Sequence, residues 1–259
     1  MRKSLLSAAL LGLAGLAEAG VVVKNVPYEI DGQPFEGKLV YDDAVSDPRP
    51  GLLMVPNWLG VTDASAEKAA RAAGDKYVVF VADMYGKSIR PSNADEAKQA
   101  ATTVRSDRAL MRKRAQAAVD VLKAQTSQVA VDTARLGAIG FCFGGGTVLE
   151  LARSGAPLKA FVSFHGNLDT PNPADANNVK APVLVLHGAD DPAVPPAQVD
   201  GFMAEMKAAK VDWQLVSYGG AVHSFTDPLA NTPGSNQYHP LVAARAFKAM
   251  DNLLDEVFE

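Results

Sequence analysis

Five short, predominantly apolar runs recur along the chain, at residues 52–56, 77–82, 136–141, 158–165 and 182–187. Longer stretches separate them, at 63–73, 95–103, 107–124, 144–152 and 196–209, with a last one at 240–257, and in these the apolar residues return at helical spacing. A Val/Leu/Ile/Phe run without polar alternation suits a strand covered on both faces, and strands separated by helices pair in parallel. A further strand is predicted at 213–218. The expected fold is α/β: a three-layer sandwich around a mainly parallel sheet. Residues 36–41 alternate and lead into the turn-rich segment 42–51, which predicts an antiparallel strand at the sheet edge. There is no long repeat and no linker rich in Pro, Gly and Ser, so residues 20–259 read as one domain.

Residues 1–19 stand apart. Arg2 and Lys3 precede an uncharged apolar run that ends in the small-x-small triplet Ala17, Glu18, Ala19, the three parts of a secretory signal peptide with cleavage expected after Ala19. The run is too short to span a bilayer comfortably, and neither an Arg-Arg pair nor a Cys marks the cleavage point. The expected location is periplasmic or secreted, with no membrane attachment of the mature form.

Composition narrows the function. With 48% hydrophobic and 21% charged residues, the 259-residue chain can bury a core, and it is neither collagen-like nor disordered. A formal net charge of −4 gives no general attraction for nucleic acid or an anionic membrane, so the expected partner is a small molecule; oligomeric state is not legible. The single cysteine, Cys142, has no disulfide partner in its own chain. It is either an inert buried thiol or one kept for use.

Cys142 follows an apolar run and opens a helical one, within Gly140-Phe141-Cys142-Phe143-Gly144-Gly145-Gly146. This is the G-x-nucleophile-x-G arrangement of a strand-to-helix elbow, with Cys where Ser is usual. Small residues two positions either side let backbones pass close to a strained turn, and a helix N-terminus favours thiolate. The competing reading, a phosphate-binding glycine turn, would place the glycines after the first strand rather than after several.

A thiol nucleophile needs a base, and a carboxylate to orient that base. After the run 182–187 comes Gly188-Ala189-Asp190-Asp191-Pro192-Ala193-Val194-Pro195, where the spacing favours Asp191, with Asp190 and Asp169 as rivals that could equally serve turns or caps. Of the four histidines, His223 follows the acid in chain order and sits in a loop past 213–218, whereas His165 and His187 end strands and His239 starts the last helix. Backbone donors for an oxyanion are expected from Phe143 and from the loop after 52–56, with Trp58 the candidate.

With these pieces together, the sequence resembles the dienelactone hydrolase family of α/β-hydrolases. The likeness rests on G-F-C-F-G-G at 140–145, D-M-Y at 83–85, G-A-D-D-P-A-V-P at 188–195 and H-S-F at 223–225, and spans most of the chain. It implies a hydrolase of carboxylic esters or lactones with Cys142, Asp191 and His223 as triad, Trp58 and Phe143 at the oxyanion, and Asn57, Tyr85, Lys87 and Phe225 at the substrate. Two positions depart from the family. Asn57 stands where a Glu is common, and an amide accepts no proton at neutral pH. Two arginines that hold a substrate carboxylate in the family become Lys87 and Asp227, of which the second would repel an anion. The alternatives are a non-catalytic small-molecule-binding protein on the same fold, and a redox thiol, for which no resolving cysteine exists. No metal-ligand spacing or phosphate loop is present, so no cofactor and no metal are expected.

Overall fold

The computed structural model describes residues 20–259, and the expected signal peptide lies outside the described residues. The sheet has eight strands in the order β1-β2-β4-β3-β5-β6-β7-β8. These are β1 (Val21–Ile30), β2 (Gln33–Asp42), β3 (Arg49–Val55), β4 (Val78–Val81), β5 (Val131–Phe141), β6 (Phe161–Phe164), β7 (Val183–Gly188) and β8 (Trp213–Tyr218). Pairing is parallel from β4 through β3 to β8 and antiparallel at β1–β2 and β2–β4. The helices are α1 (Asp63–Ala73), α2 (Ala94–Ser106), α3 (Arg108–Lys123), α4 (Phe143–Arg153), α5 (Pro196–Ala208) and α6 (Pro240–Phe258).

The apolar runs explain the three layers. Successive side chains of β3 point to opposite faces. Leu52 and Met54 pack with Ala69 of α1 and Phe247 of α6, whereas Leu53 and Val55 pack with Met111 of α3 and Val148 of α4. Each parallel strand is thus buried on both sides. The apolar pattern found this sheet, but it misplaced the edge. The strand expected there, 36–41, is the middle of β2 and lies inside, because β1 pairs along its whole length beyond it. β1 is mostly exposed, and its apolar residues, Val21 to Val23, Val26 and Ile30, form neither a long run nor a regular alternation, so periodicity passed it by. Its signal is the turn Asp31-Gly32, where both residues have positive φ, as a two-residue hairpin requires.

Two features aim this scaffold at one spot. The chain leaves β3 toward β4 and returns across it to β5, so a crevice opens at the carboxyl ends of β3 and β5. α4, whose residues are all buried, starts at that crevice. Its other end is fixed by Arg153, which donates from Nε and Nη2 to Glu205 at 2.8 Å each, from Nη1 to Glu150 at 3.0 Å, and from Nη2 to the Leu168 carbonyl at 3.1 Å.

Removing one carboxylate from such a buried pair leaves a charge under-compensated. Glu205→Ala is expected to cost about 3 kcal/mol of stability, read as a lower urea midpoint; an unchanged midpoint would show that Arg153 does not anchor α4.

Candidate active site

Cys142 sits between β5 and α4 with φ 55° and ψ −119°, a left-handed conformation that a side chain rarely tolerates. Neighbouring backbones enforce it. A Cβ on Gly140 would collide with the Gly144 carbonyl, and one on Gly144 with the carbonyls of Val55 and Pro56 at the end of β3. Only glycines at both positions let α4 begin this close to β3. The half-buried sulfur is thereby presented at a pocket of about 290 Å³, whose wall includes Trp58, Phe143, Asn167, Val194 and His223.

The turn after β7 buries Asp191. Its Oδ2 accepts from His223 Nδ1 at 2.8 Å, and its Oδ1 accepts from the Ala193 N–H at 2.8 Å. The loop bearing His223 is tied down through its backbone: the His223 N–H donates to Ser235 and the Gln237 N–H donates to His223, both at 3.1 Å. The rival acids are engaged elsewhere. Asp190 accepts from the Gly220 N–H at 3.0 Å, and Asp169 accepts from Arg105 at 2.6 Å, Asn167 at 2.9 Å and Arg108 at 3.0 Å. Among the other histidines, His165 bonds Thr226 Oγ1 at 2.8 Å and meets the His223 ring edge-on at 5.2 Å between centroids. Burial holds it neutral. His239 caps α6, accepting from the Val242 N–H at 3.4 Å, and burial lowers the pKa of His187.

The electrostatics favour charge separation. Burial pushes the Cys142 thiol up, but the opposing His223 imidazole, by contact and by charge, and the N–H groups of Phe143 and Trp58 bring it below its ordinary value. Burial pulls His223 down, yet Asp191 and the thiolate raise it to about 10. Each group thus favours the charged form of the other, thiolate beside imidazolium. The same two N–H groups that approach the sulfur can receive the oxygen of a carbonyl attacked there.

Four positions expected at the substrate are placed otherwise, and none lines the Cys142 pocket. Asn57 accepts from the Leu59 N–H at 3.1 Å, closing its own turn beside a separate cavity of about 600 Å³. Tyr85 is buried, and its hydroxyl donates to the Trp58 carbonyl at 2.8 Å. Lys87 is exposed and pairs with Glu36 at 3.0 Å. Phe225 is fully buried, edge-on to His165. Asp227, expected to repel an anion, also lies outside this pocket and pairs with Lys68 at 3.9 Å. Adjacency to a motif fixes where a backbone goes and leaves the side chain's direction to its packing.

The chain instead brings charges that the sequence reading missed. Lys98, Ala101, Thr102 and Arg105 form one face of α2 and line the pocket, bringing two cations to its wall, of which Arg105 is paired with Asp169 and Lys98 is not. Their i, i+3, i+4, i+7 spacing was visible, but nothing in the sequence says which pocket a polar helix face overlooks. Lys68 is the other omission. Its ammonium sits 4.7 Å from the centre of the Phe141 ring, next to the nucleophile's position in the chain, and burial lowers its pKa against the pull of Asp227 and the thiolate.

Comparison with known proteins agrees with this architecture. The dienelactone hydrolase family pattern matches residues 35–258. The crystal structure of a dienelactone hydrolase-like promiscuous phosphotriesterase from metagenomic libraries superposes with a TM-score of 0.85 at 41% identity, covering 93% of this chain and all of that one. A putative carboxymethylenebutenolidase of Methylorubrum extorquens is 31% identical over 70% of this chain and 65% of its own length. A probable 2-oxo-3-(5-oxofuran-2-ylidene)propanoate lactonase of a Bradyrhizobium species is 28% identical over 83% and 88% respectively.

His223→Gln should abolish the thiolate ultraviolet absorbance at pH 7 and move thiol titration upward, because burial is then opposed only by the backbone N–H groups. Asp191→Asn should weaken that absorbance and Asp190→Asn leave it intact. The reverse order of the two aspartates would displace Asp191 from this site.

Proposed function

The chain belongs to the dienelactone hydrolase family, whose members are ester and lactone hydrolases, and from that premise we propose a cysteine hydrolase that works through an acyl-enzyme. The observation that carries this reading is the buried carboxylate–imidazole bond at 2.8 Å, whose ring shares a pocket with a thiol of lowered pKa. In the resting state the thiol proton is on His223. The Cys142 thiolate attacks the carbonyl carbon, and the oxygen takes up negative charge between the N–H groups of Trp58 and Phe143. His223 then gives its proton to the departing alkoxide, leaving a thioester. Water attacks that thioester with the neutral imidazole as base; the thiolate leaves, the acid is released, and the ring regains a proton. Asp191 holds the Nδ1–H tautomer and stabilises the imidazolium throughout. Hydrolysis is favoured over a purely ligand-binding role because a binding pocket has no need of a thiol of lowered pKa beside a ring held by a buried carboxylate and two backbone donors.

The α2 face adds a preference among substrates. Lys98 and Arg105 give the pocket mouth a positive potential on a protein of net negative charge, which suits esters or lactones that also carry a carboxylate. The names of the two curated relatives point to substrates of that kind.

Intact-mass measurement after brief exposure to an activated ester should show one acyl adduct, absent in Cys142→Ala, with turnover reduced at least about 10³-fold; wild-type turnover in that variant would overturn the mechanism. Lys98→Met should raise KM for an anionic ester about three- to fivefold with kcat unchanged, leave a neutral ester unaffected, and lose its effect at high salt. An equal change for both esters would remove Lys98 from recognition.

A further inference from the structure

α2 has a second, partly exposed face, and it borders a different cavity. Glu96, Gln99, Ala100 and Thr103 lie on the side opposite Lys98 and Arg105, and with residues 85 and 88–91 they line an open cleft of about 430 Å³. This cavity shares no lining residue with the Cys142 pocket. Its volume is within the range of small-molecule sites, roughly 300–1,000 Å³.

Its charged groups differ in how far they are already satisfied. Arg90 is consumed: it donates to the carbonyls of Gly86, Ile89 and Glu36, and to the buried Asp83 carboxylate at 3.0 Å. Glu96 is turned away to the N–H and hydroxyl of Ser92, at 2.8 and 3.0 Å. Arg114 is different. It enters the cavity from α3, half-buried, stacked on the Phe35 ring at 5.2 Å, with one bond from Nη1 to the Met84 carbonyl at 2.7 Å. No carboxylate among the described residues lies within ion-pair distance of it. A guanidinium presents five N–H donors in a planar fork, and burying it without an anion is costly. Burial accordingly lowers its pKa, opposed only by more distant charges, Asp83 first. Apolar surface around it comes from Ile89, Ala100, Val104 and the Tyr85 ring, and the rim is polar, with Ser88, Gln99 and Thr103.

We propose that this cavity is a second binding site, for a small carboxylate with an apolar or aromatic body, whose carboxylate pairs with Arg114 and whose body packs on Ile89, Val104 and Tyr85. The site is built to reach the chemistry without occupying it. Tyr85 bonds the Trp58 carbonyl through its hydroxyl and packs its ring against Phe143 at 5.7 Å, so an occupant presses on the residue that touches both oxyanion donors.

Benzoate is a suitable probe, with binding read by calorimetry on the wild-type protein and by its effect on turnover of a neutral activated ester. Binding should be in the millimolar range and should change kcat without being relieved by saturating ester. Arg114→Met should weaken it about tenfold or more, the worth of a charge-assisted bond. Thr103→Trp, which fills the cavity from α2 and keeps the guanidinium, should abolish it and decides the matter if the Arg114 variant does not fold. Lys98→Met, on the other face of α2, should leave it unchanged. The site is refuted if wild-type protein binds no benzoate, if both Arg114→Met and Thr103→Trp retain it, or if inhibition is competitive and lost in Lys98→Met. Because calorimetry needs no turnover, failure of the Cys142 mechanism would leave this result standing, and the converse holds.

Discussion

The near-contact of three backbones at the end of β5 governs everything else in the molecule. Gly140, Gly144 and the carbonyls of Val55 and Pro56 approach so closely that no side chain fits between them, and the chain turns sharply enough to force Cys142 into a left-handed conformation. That strain is held in place by burial of α4 along its whole length and by the carboxylates gripping Arg153 at its far end. The sulfur, the first N–H of α4 and the Trp58 loop after β3 meet because the helix cannot retreat. Loosening this packing would relax the turn and scatter the donors together.

Much of this was legible in the sequence, and what was not has a physical reason. Runs such as 77–82 announced strands because a parallel sheet buried on both faces leaves no room for polar alternation. The elbow was legible because only glycine satisfies its steric demand. Chain order pointed to His223, and the 2.8 Å bond separates Asp191 from Asp190, two neighbours the sequence could not rank firmly. β1 escaped notice because, on an exposed edge, its valines follow no periodic pattern. Lys87 and Phe225 were assigned by proximity to motifs, yet one reaches Glu36 in solvent and the other fills the core beneath His165. The α2 stripe needed coordinates, since a solvated helix face and a pocket wall have the same composition.

Charge is distributed against the average. A protein with four more acidic than basic side chains places Lys98 and Arg105 in the wall of the Cys142 pocket and spends Asp169 on holding Arg105 and Arg108 together. Local arrangement, and not net charge, sets the field a substrate meets. α2, with only Ala97 and Val104 buried, is the thin partition between that field and the cavity on its other side.

Asn57 spends its side-chain oxygen on the Leu59 N–H, in the turn that presents Trp58. An amide in that turn accepts no proton at neutral pH, so it offers the thiol no second base. On the proposed mechanism, then, the hydrogen shed by the sulfur goes to the His223 ring alone, the one side chain here that can both take it up and hand it on.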